Sequence, residues 1–191
     1  MSYLKSNESY HIHKADCGSG KTYSGEVKNG ARHGYGVMEG LGYEIKGFWK
    51  DDMLHGKCSV KMPDGYVFKG SYVNDKRHGV GTEFYPNGRA IMATWRHDVM
   101  LPNWRIKQPD GSEITLKVND VLDVVGAVTI KYCDGSVYKG DAIIVNAGTP
   151  SWNVVRKGYG SLKYPDRTVI EGYWLHDEYI NELIIDGTLI S

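Results

Sequence analysis

Phe68-Lys69-Gly70-Ser71-Tyr72, the turn residues Val73-Asn74-Asp75, then His78-Gly79-Val80-Gly81 running on to Tyr85, and last Pro86-Asn87-Gly88: this stretch decides the fold. Side chains on a strand alternate between its faces, so Phe68, Gly70 and Tyr72 share one side while Lys69 and Ser71 take the other. Asn74-Asp75 supplies the chemistry of a tight turn, and Val80 to Tyr85 reads as the returning strand of a hairpin. Pro86-Asn87-Gly88 is a second turn, from which a new copy of the pattern begins.

Outward from this unit the pattern repeats. An anchor glycine recurs at Gly42, Gly65, Gly88, Gly111 and Gly135, at spacings of 23, 23, 23 and 24, with Asp or Asn before it in four of the five. Gly20 precedes the series by 22, Arg167 takes the anchor slot after an interval of 32, and Asp186-Gly187 marks a last partial copy. Third from the anchor stand Tyr23, Ile45, Phe68, Ile91, Ile114, Tyr138 and Ile170, and seventh stand Val27, Trp49, Tyr72, Trp95, Val118, Ala142 and Trp174. Between them the fifth position is glycine in five of seven copies, Ala93 and Leu116 being the exceptions. Positions four and six hold mostly Ser, Glu, Lys, Thr or Asp, as a half-buried strand requires. The central glycine predicts close approach, a ring from a neighbouring repeat lying against bare backbone. A unit of this length cannot bury its own face, so the copies must stack into an array.

Tyr23-Ser24-Gly25-Glu26-Val27 with Asn29-Gly30, His33-Gly34 and Gly36, and the equivalent run from Phe68 to Gly81, resemble the membrane occupation and recognition nexus (MORN) repeat. The resemblance spans roughly residues 20 to 187, six to seven copies, with the central copies degenerate: Ala93 and Leu116 replace the strand glycine and Leu101-Pro102 stands where His-Gly would be. There the array is expected to bend or its pairing to break. The resemblance implies an all-β fold, an elongated, twisted antiparallel sheet of consecutive β-hairpins with an aromatic-lined groove, used as an interaction scaffold. On this division residues 1–19 are a polar N-terminal segment, 20–187 the array with an insertion near 142–157, and 188–191 the C-terminal end.

Composition bounds the function. The 191 residues carry 23 Lys plus Arg and 23 Asp plus Glu, so no global charge draws the chain to nucleic acid, and no nucleic-acid partner is expected. There are 24 glycines, and of the aromatic residues 14 are Tyr, 5 Trp and 3 Phe, so most rings carry a polar handle suited to a half-exposed position. Cys17, Cys58 and Cys133 form no CxxC pair, and the N-terminus has no apolar signal core; a cytoplasmic protein is expected.

Candidate chemistry meets a structural alternative at each place. Ala15-Asp16-Cys17-Gly18-Ser19-Gly20-Lys21-Thr22 mimics a phosphate loop, but a repeat strand rather than a helix follows it, and Gly20 aligns as an anchor. His33, His55 and His78 recur in successive hairpins, on the order of 10 Å apart and too far for one metal ion, so they read as turn residues. His11 and His13 with Cys17 could bind metal only from a polar N-terminus. Cys58 fills a glycine slot and reads as a small buried residue rather than a reactive thiol. Asp at turns reads as a partner of nearby amides. No catalytic residue, metal site or cofactor is expected.

The in-phase rings Trp49, Tyr72, Trp95 and Trp174 leave two readings open, a closed core and an open groove that anchors a partner. Trp152, in Thr149-Pro150-Ser151-Trp152-Asn153, lies outside the repeat register and is either an exposed anchor or a plug that folds back. These five residues are the expected partner-binding set. The apolar stretch Glu182 to Ile190 predicts either a fold-back that covers the last edge or a homodimer through that C-terminal edge. The expected function is a non-catalytic protein-binding scaffold. The alternatives are a phospholipid-surface adaptor using Lys28, Arg32, Lys46, Lys50, Lys69, Lys76 and Arg77 on one face, and a small-ligand or nucleotide binder through Lys21 and Thr22.

Overall fold

The structure, a computed structural model, describes residues 9–117, 124–146, 152–180, 183–185 and 188–190. Val118, Thr149-Pro150-Ser151 and the anchor pair Asp186-Gly187 lie outside them. The chain divides into two compact units, Met1–Leu101 and Pro102–Ser191, and the division falls at the Leu101-Pro102 pair that replaces His-Gly. The fold is all-β, antiparallel and built of consecutive hairpins, as the repeat pattern requires.

In the first unit the strands are β1 (Ser9–Asp16), β2 (Thr22–Lys28), β3 (Ala31–Gly40), β4 (Tyr43–Lys50), β5 (Met53–Lys61), β6 (Val67–Val73), β7 (Lys76–Phe84), β8 (Ala90–Arg96) and the short β9 (Val99–Met100). Each of β1 to β8 pairs antiparallel with the next, and β9 returns on β8. Ser9–Asp16 of the polar N-terminal segment is thus part of the sheet: β1 pairs along β2, and half-buried Ile12 packs against the core.

In the second unit β10 (Trp104–Lys107), β11 (Glu113–Leu116), β12 (Val124–Lys131), β13 (Val137–Val145), β14 (Asn153–Lys163), β15 (Val169–Leu175) and β16 (Glu178–Ile180) pair in succession. The residues inserted near 142–157 lengthen a hairpin: pairing continues from Ala142 with Arg156 to Val145 with Asn153. β17 (Leu183–Ile185) and β18 (Thr188–Ile190) pair with each other as a separate hairpin.

The anchor turns share one hydrogen-bond pattern. At Pro63-Asp64-Gly65 the Gly65 amide donates to the Met62 carbonyl (3.0 Å), the Met62 amide to Tyr66 (2.8 Å), and the Asp64 carboxylate accepts the Tyr66 amide (2.9 Å). Asp110, Asp134 and Asp166 accept the amide two residues on at 2.8 Å in the same way. The five regular anchors have φ between 80° and 89°, the left-handed region that glycine enters without strain, and Arg167 in the same slot adopts φ 75°.

One row of small residues crosses the first unit. Gly25, Gly36, Gly47, Cys58, Gly70, Gly81 and Ala93 pair in succession from β2 to β8. The ring of Phe68 lies on Gly70 and Gly81, where a Cβ at Gly70 would stand 2.6 Å from its Cζ, and the ring of Tyr23 lies on Gly25 and Gly36 in the same way. The expectation of a ring from a neighbouring repeat is therefore corrected: the ring belongs to the same strand, two residues before the first glycine. Tyr23 Oη donates to the Glu26 carbonyl (3.0 Å) and Tyr138 Oη to that of Asp141 (2.8 Å), which fixes each ring over its glycines. Copies with Ile91 or Ile114 at the third position lay no ring there, and Ala93 and Leu116, 3% and 0% exposed, occupy the space instead.

Candidate partner-binding surface

The ring residues singled out from the sequence fill the inner face. Trp49, Trp95 and Trp174 are each 4% exposed and Tyr72 is 8%. Rings of successive copies meet edge to face: Tyr23 with Trp49 at 5.7 Å, Phe68 with Trp95 at 5.7 Å, Tyr138 with Trp174 at 5.6 Å. Of the two readings left open, a closed core describes these four positions, because glycine at the fifth position lets the third-position ring lie flat and abut the seventh-position ring of the next copy. Trp152 is half-buried and packs 6.5 Å from Trp104 at 70°, the plug geometry rather than the exposed one.

Three arginines close this face. Arg32 lies over Trp49 (4.2 Å), Arg77 over Trp95 (3.8 Å) and Arg156 over Trp174 (4.1 Å). Each is held by an aspartate of the next turn: Arg32 Nε to Asp52 at 2.9 Å, Arg77 Nε to Asp98 and Arg156 Nε to Asp177 at 3.0 Å. The same aspartates accept the arginine's backbone amide at 3.0, 3.0 and 2.8 Å. The Arg32 amide and then its guanidinium hold the Asp52 carboxyl below the usual range; burial of Asp98 opposes the same effect and loses to the Arg77 bonds. In the second copy Leu54 takes the arginine's place, with its amide on Asp75 at 2.7 Å. Arg32 and Arg77 are therefore committed to the inner face and drop out of the basic cluster put forward for lipid. The signal lay in the repeat: Arg32 and Arg77 stand twelfth from their anchors and Arg156 twenty-first, the insertion intervening, while each aspartate is tenth from the next anchor.

Glu83 is 5% exposed in a slot that holds Met38, Val60 or Leu162 in other copies. Its carboxylate accepts from Tyr66 (2.7 Å), Tyr85 (2.7 Å) and Arg77 Nη1 (2.9 Å), so each oxygen has a donor. Burial, and the bond to Glu83, push both phenols well above the ordinary tyrosine range. These partners balance a buried charge, and no open cavity is required to explain them.

The other chemical candidates have structural positions. Residues 17–21 make the turn between β1 and β2, with the Cys17 amide donating to Lys21 (2.8 Å). His33 Nδ1 stands 3.6 Å from Asp51, His55 Nδ1 3.3 Å from Asn74 Oδ1, and the His78 and His97 rings pack at 5.1 Å. Among the described residues no three His, Cys, Asp or Glu side chains are grouped to hold a metal ion. Burial pushes the Cys58 thiol up to about 11, whereas Cys17 and Cys133 are exposed.

Exposed aromatics occur instead on the outer face. Tyr35 on β3 and Phe48 on β4 pair directly across the ladder, each 47% exposed, with ring centroids 5.6 Å apart. The second unit repeats the arrangement with Tyr159 and Tyr173, 50% and 47% exposed and 5.4 Å apart. Val80, Phe84 and Met92 continue the outer face on β7 and β8, 64%, 38% and 44% exposed. Sequence reasoning passed over these residues because positions four and six read as polar; Phe48 and Tyr173 at position six, facing Tyr35 and Tyr159 in the Gly-x-Gly runs, were the signal.

Residues 23–40, 46–65 and 68–88 match the MORN repeat. These three stretches are MORN repeats. They coincide with β2 to β7, and in the outer two of the three a third-position ring, Tyr23 or Phe68, lies on a pair of glycines. No curated protein matches the chain. Among solved structures, it is similar to a mutant of the TCP10 domain of Danio rerio CPAP, at 17% identity over 82% of this chain and 74% of that one, with a TM-score of 0.40. It is also similar to the wild-type domain in complex with a peptide of Danio rerio STIL, at 15% identity over 87% and 84%, with a TM-score of 0.36.

Proposed function

We propose that this MORN-repeat chain is a non-catalytic scaffold that holds a protein segment on the outer face of the first unit, with the Tyr35–Phe48 pair as its anchor. The observation that carries the reading is that pair: two rings in register, each half exposed on rigid strands. Tyrosine and phenylalanine so held offer apolar contact at little further loss of conformational freedom. Outer-face residues also make the ladder without being needed for its core, so this surface is free to specialise. Three unpaired cysteines suit a reducing, cytoplasmic setting, which is part of the same proposal.

The test is affinity capture from native lysate with wild type, Tyr35→Ser/Phe48→Ser and Trp152→Ala, each checked by circular dichroism. A specific protein held by wild type and reduced about tenfold by the outer-face double substitution is expected, on the scale of two interface anchors. Capture that survives the double substitution and fails with Trp152→Ala would move the site to the second unit.

A further inference from the structure

The outer face of β5 to β8 differs from that of the strands beside it. Lys57 and Lys61 on β5, Lys69 on β6, Lys76 on β7 and Arg96 on β8 are all exposed, and the other outer residues of these strands include Ser59, Val67, Ser71, Val73, Val80, Thr82, Phe84, Ala90, Met92 and Thr94. These cations share the face with no carboxylate of the same four strands, and none of Lys57, Lys61, Lys69 and Arg96 forms an ion pair with a described residue. The one acid of β5 to β8, Glu83, points to the inner face and is held there by Tyr66, Tyr85 and Arg77. On neighbouring β4 Glu44 stands opposite Lys61, but its carboxylate is taken by Lys46 at 2.8 Å. Lys69 Nζ lies 5.4 Å from the centre of the Phe84 ring, so a cation and the largest exposed ring of the patch act as one surface.

We infer that this patch binds an acidic protein segment whose apolar side chains seat on Val80, Phe84 and Met92 while its carboxylates meet Lys57, Lys61, Lys69 and Arg96. The inference rests on the scaffold proposal, whose Tyr35–Phe48 anchor lies on β3 and β4 of the same outer face, and names the chemistry of the part of the partner that crosses β5 to β8. Charge complementarity selects the sign, since an acidic chain meets four uncommitted cations and no repulsion. The width of the patch selects a segment over a membrane. Four strands at about 4.8 Å span roughly 14 Å, the scale of one extended or helical segment. A flat anionic bilayer would also press on the outer residues of β2 to β4, where Glu44 is paired with Lys46 and Glu26 and Glu39 offset Lys28 and Lys50, so the wider contact adds no net attraction.

The full-length chain, immobilised, is panned against a random-peptide display library. The enriched peptides are then measured on wild type, on Lys57→Glu/Lys69→Glu, and on Lys131→Glu/Lys163→Glu in the second unit as a charge control. Vesicles of phosphatidylcholine with phosphatidylserine, and a short single-stranded RNA, are tested in parallel. The expected peptides are acidic with interspersed apolar residues, bind the patch variant about tenfold more weakly, weaken with salt, and bind the control as wild type does. Enriched peptides without an acidic excess, or binding unchanged by Lys57→Glu/Lys69→Glu in a folded variant, overturn the inference and leave the scaffold proposal standing. Capture of vesicles or RNA but no peptide, or of none of the three, overturns both.

Discussion

The two faces of β2 to β8 are made by the same strands, residue by alternate residue, and both carry aromatic side chains. On the inner face Tyr23 and Phe68 are 1% exposed; on the outer face Tyr35 and Phe48, one residue out of phase, are 47% exposed. Hydrophobicity does not separate these rings. What separates them is the neighbour: Tyr23 and Phe68 each have two glycines beside them on the same face, whereas Tyr35 has Glu26, Val37 and Phe48. A ring lies flat and is sealed where a pair of missing Cβ atoms makes room, and stands upright in solvent where it does not. The difference predicts that substitutions on the inner face act on stability and those on the outer face act on binding.

The largest effect is expected at a seventh-position ring. Trp95→Ala removes the indole that Phe68 abuts and Arg77 covers, leaving a hole under a guanidinium, and should cost about 4 kcal/mol in urea unfolding. A loss below about 1 kcal/mol would mean that the inner face is loosely filled and that the open-groove reading is right after all. Next comes the small-residue row. A valine at Gly81 would drive its side chain into the Phe68 ring, at a cost of about 3 kcal/mol, while Thr82→Val one residue away on the outer face should be nearly neutral. The sharper version uses the degenerate copy as its guide. Gly70→Ala should be markedly less damaging in a Phe68→Ile background, since that pair reproduces Ile91 and Ala93; equal cost in both backgrounds would show that contact with the Gly81 backbone, not the ring, excludes the side chain.

Much of this fold was legible beforehand because the physics of each repeat is local. The anchor turn needs positive φ, alternation assigns positions three, five and seven to one face, and spacing then gives the hairpin array. Leu101-Pro102, where turn chemistry fails, read as a bend or a break of pairing within one array, and it is there that the chain divides into two units. The site was less legible. Trp49, Tyr72, Trp95 and Trp174 stand in phase, and phase alone does not tell a ladder of anchors from a core; that depended on which ring overlies which glycine. The arginine clamps were missed because Arg32 and Asp52 are 20 residues apart and become neighbours only when one hairpin stacks on the next. Glu83 was missed because its partners Tyr66 and Tyr85 belong to two turns that the sequence keeps separate.

The arginine clamps set a smaller, pH-dependent contribution to the inner face. Asp52 and Asp98 have folded pKa values below their unfolded ones, so their contribution is present above the unfolded carboxylate value of about 4 and is lost as pH falls through the folded value. Both carboxylates are about half exposed, 55% and 46%, so screening by water limits the effect. Asp98→Asn, which keeps an acceptor for the Arg77 amide and removes the charge, should therefore cost less than about 1 kcal/mol at pH 7. Its stability should also fall less steeply than wild type's below pH about 4. An unchanged acid limb would assign the pH dependence to other carboxylates.

The outer pair should give the smallest change in stability. Cross-strand aromatic pairs contribute about 0.5 kcal/mol relative to small residues, so Tyr35→Ser/Phe48→Ser is expected to unfold close to the wild-type midpoint. The same substitution is the one expected to reduce partner capture about tenfold, and the contrast with Trp95→Ala is what divides the faces. Should Tyr35→Ser/Phe48→Ser instead unfold with the inner-face variants, the outer rings would be structural braces of the β3–β4 ladder. Their exposure would then carry no information about binding. A small loss of stability with a large loss of capture has no such structural explanation, because a ring that contributes little to folding and much to association is held in place for the partner.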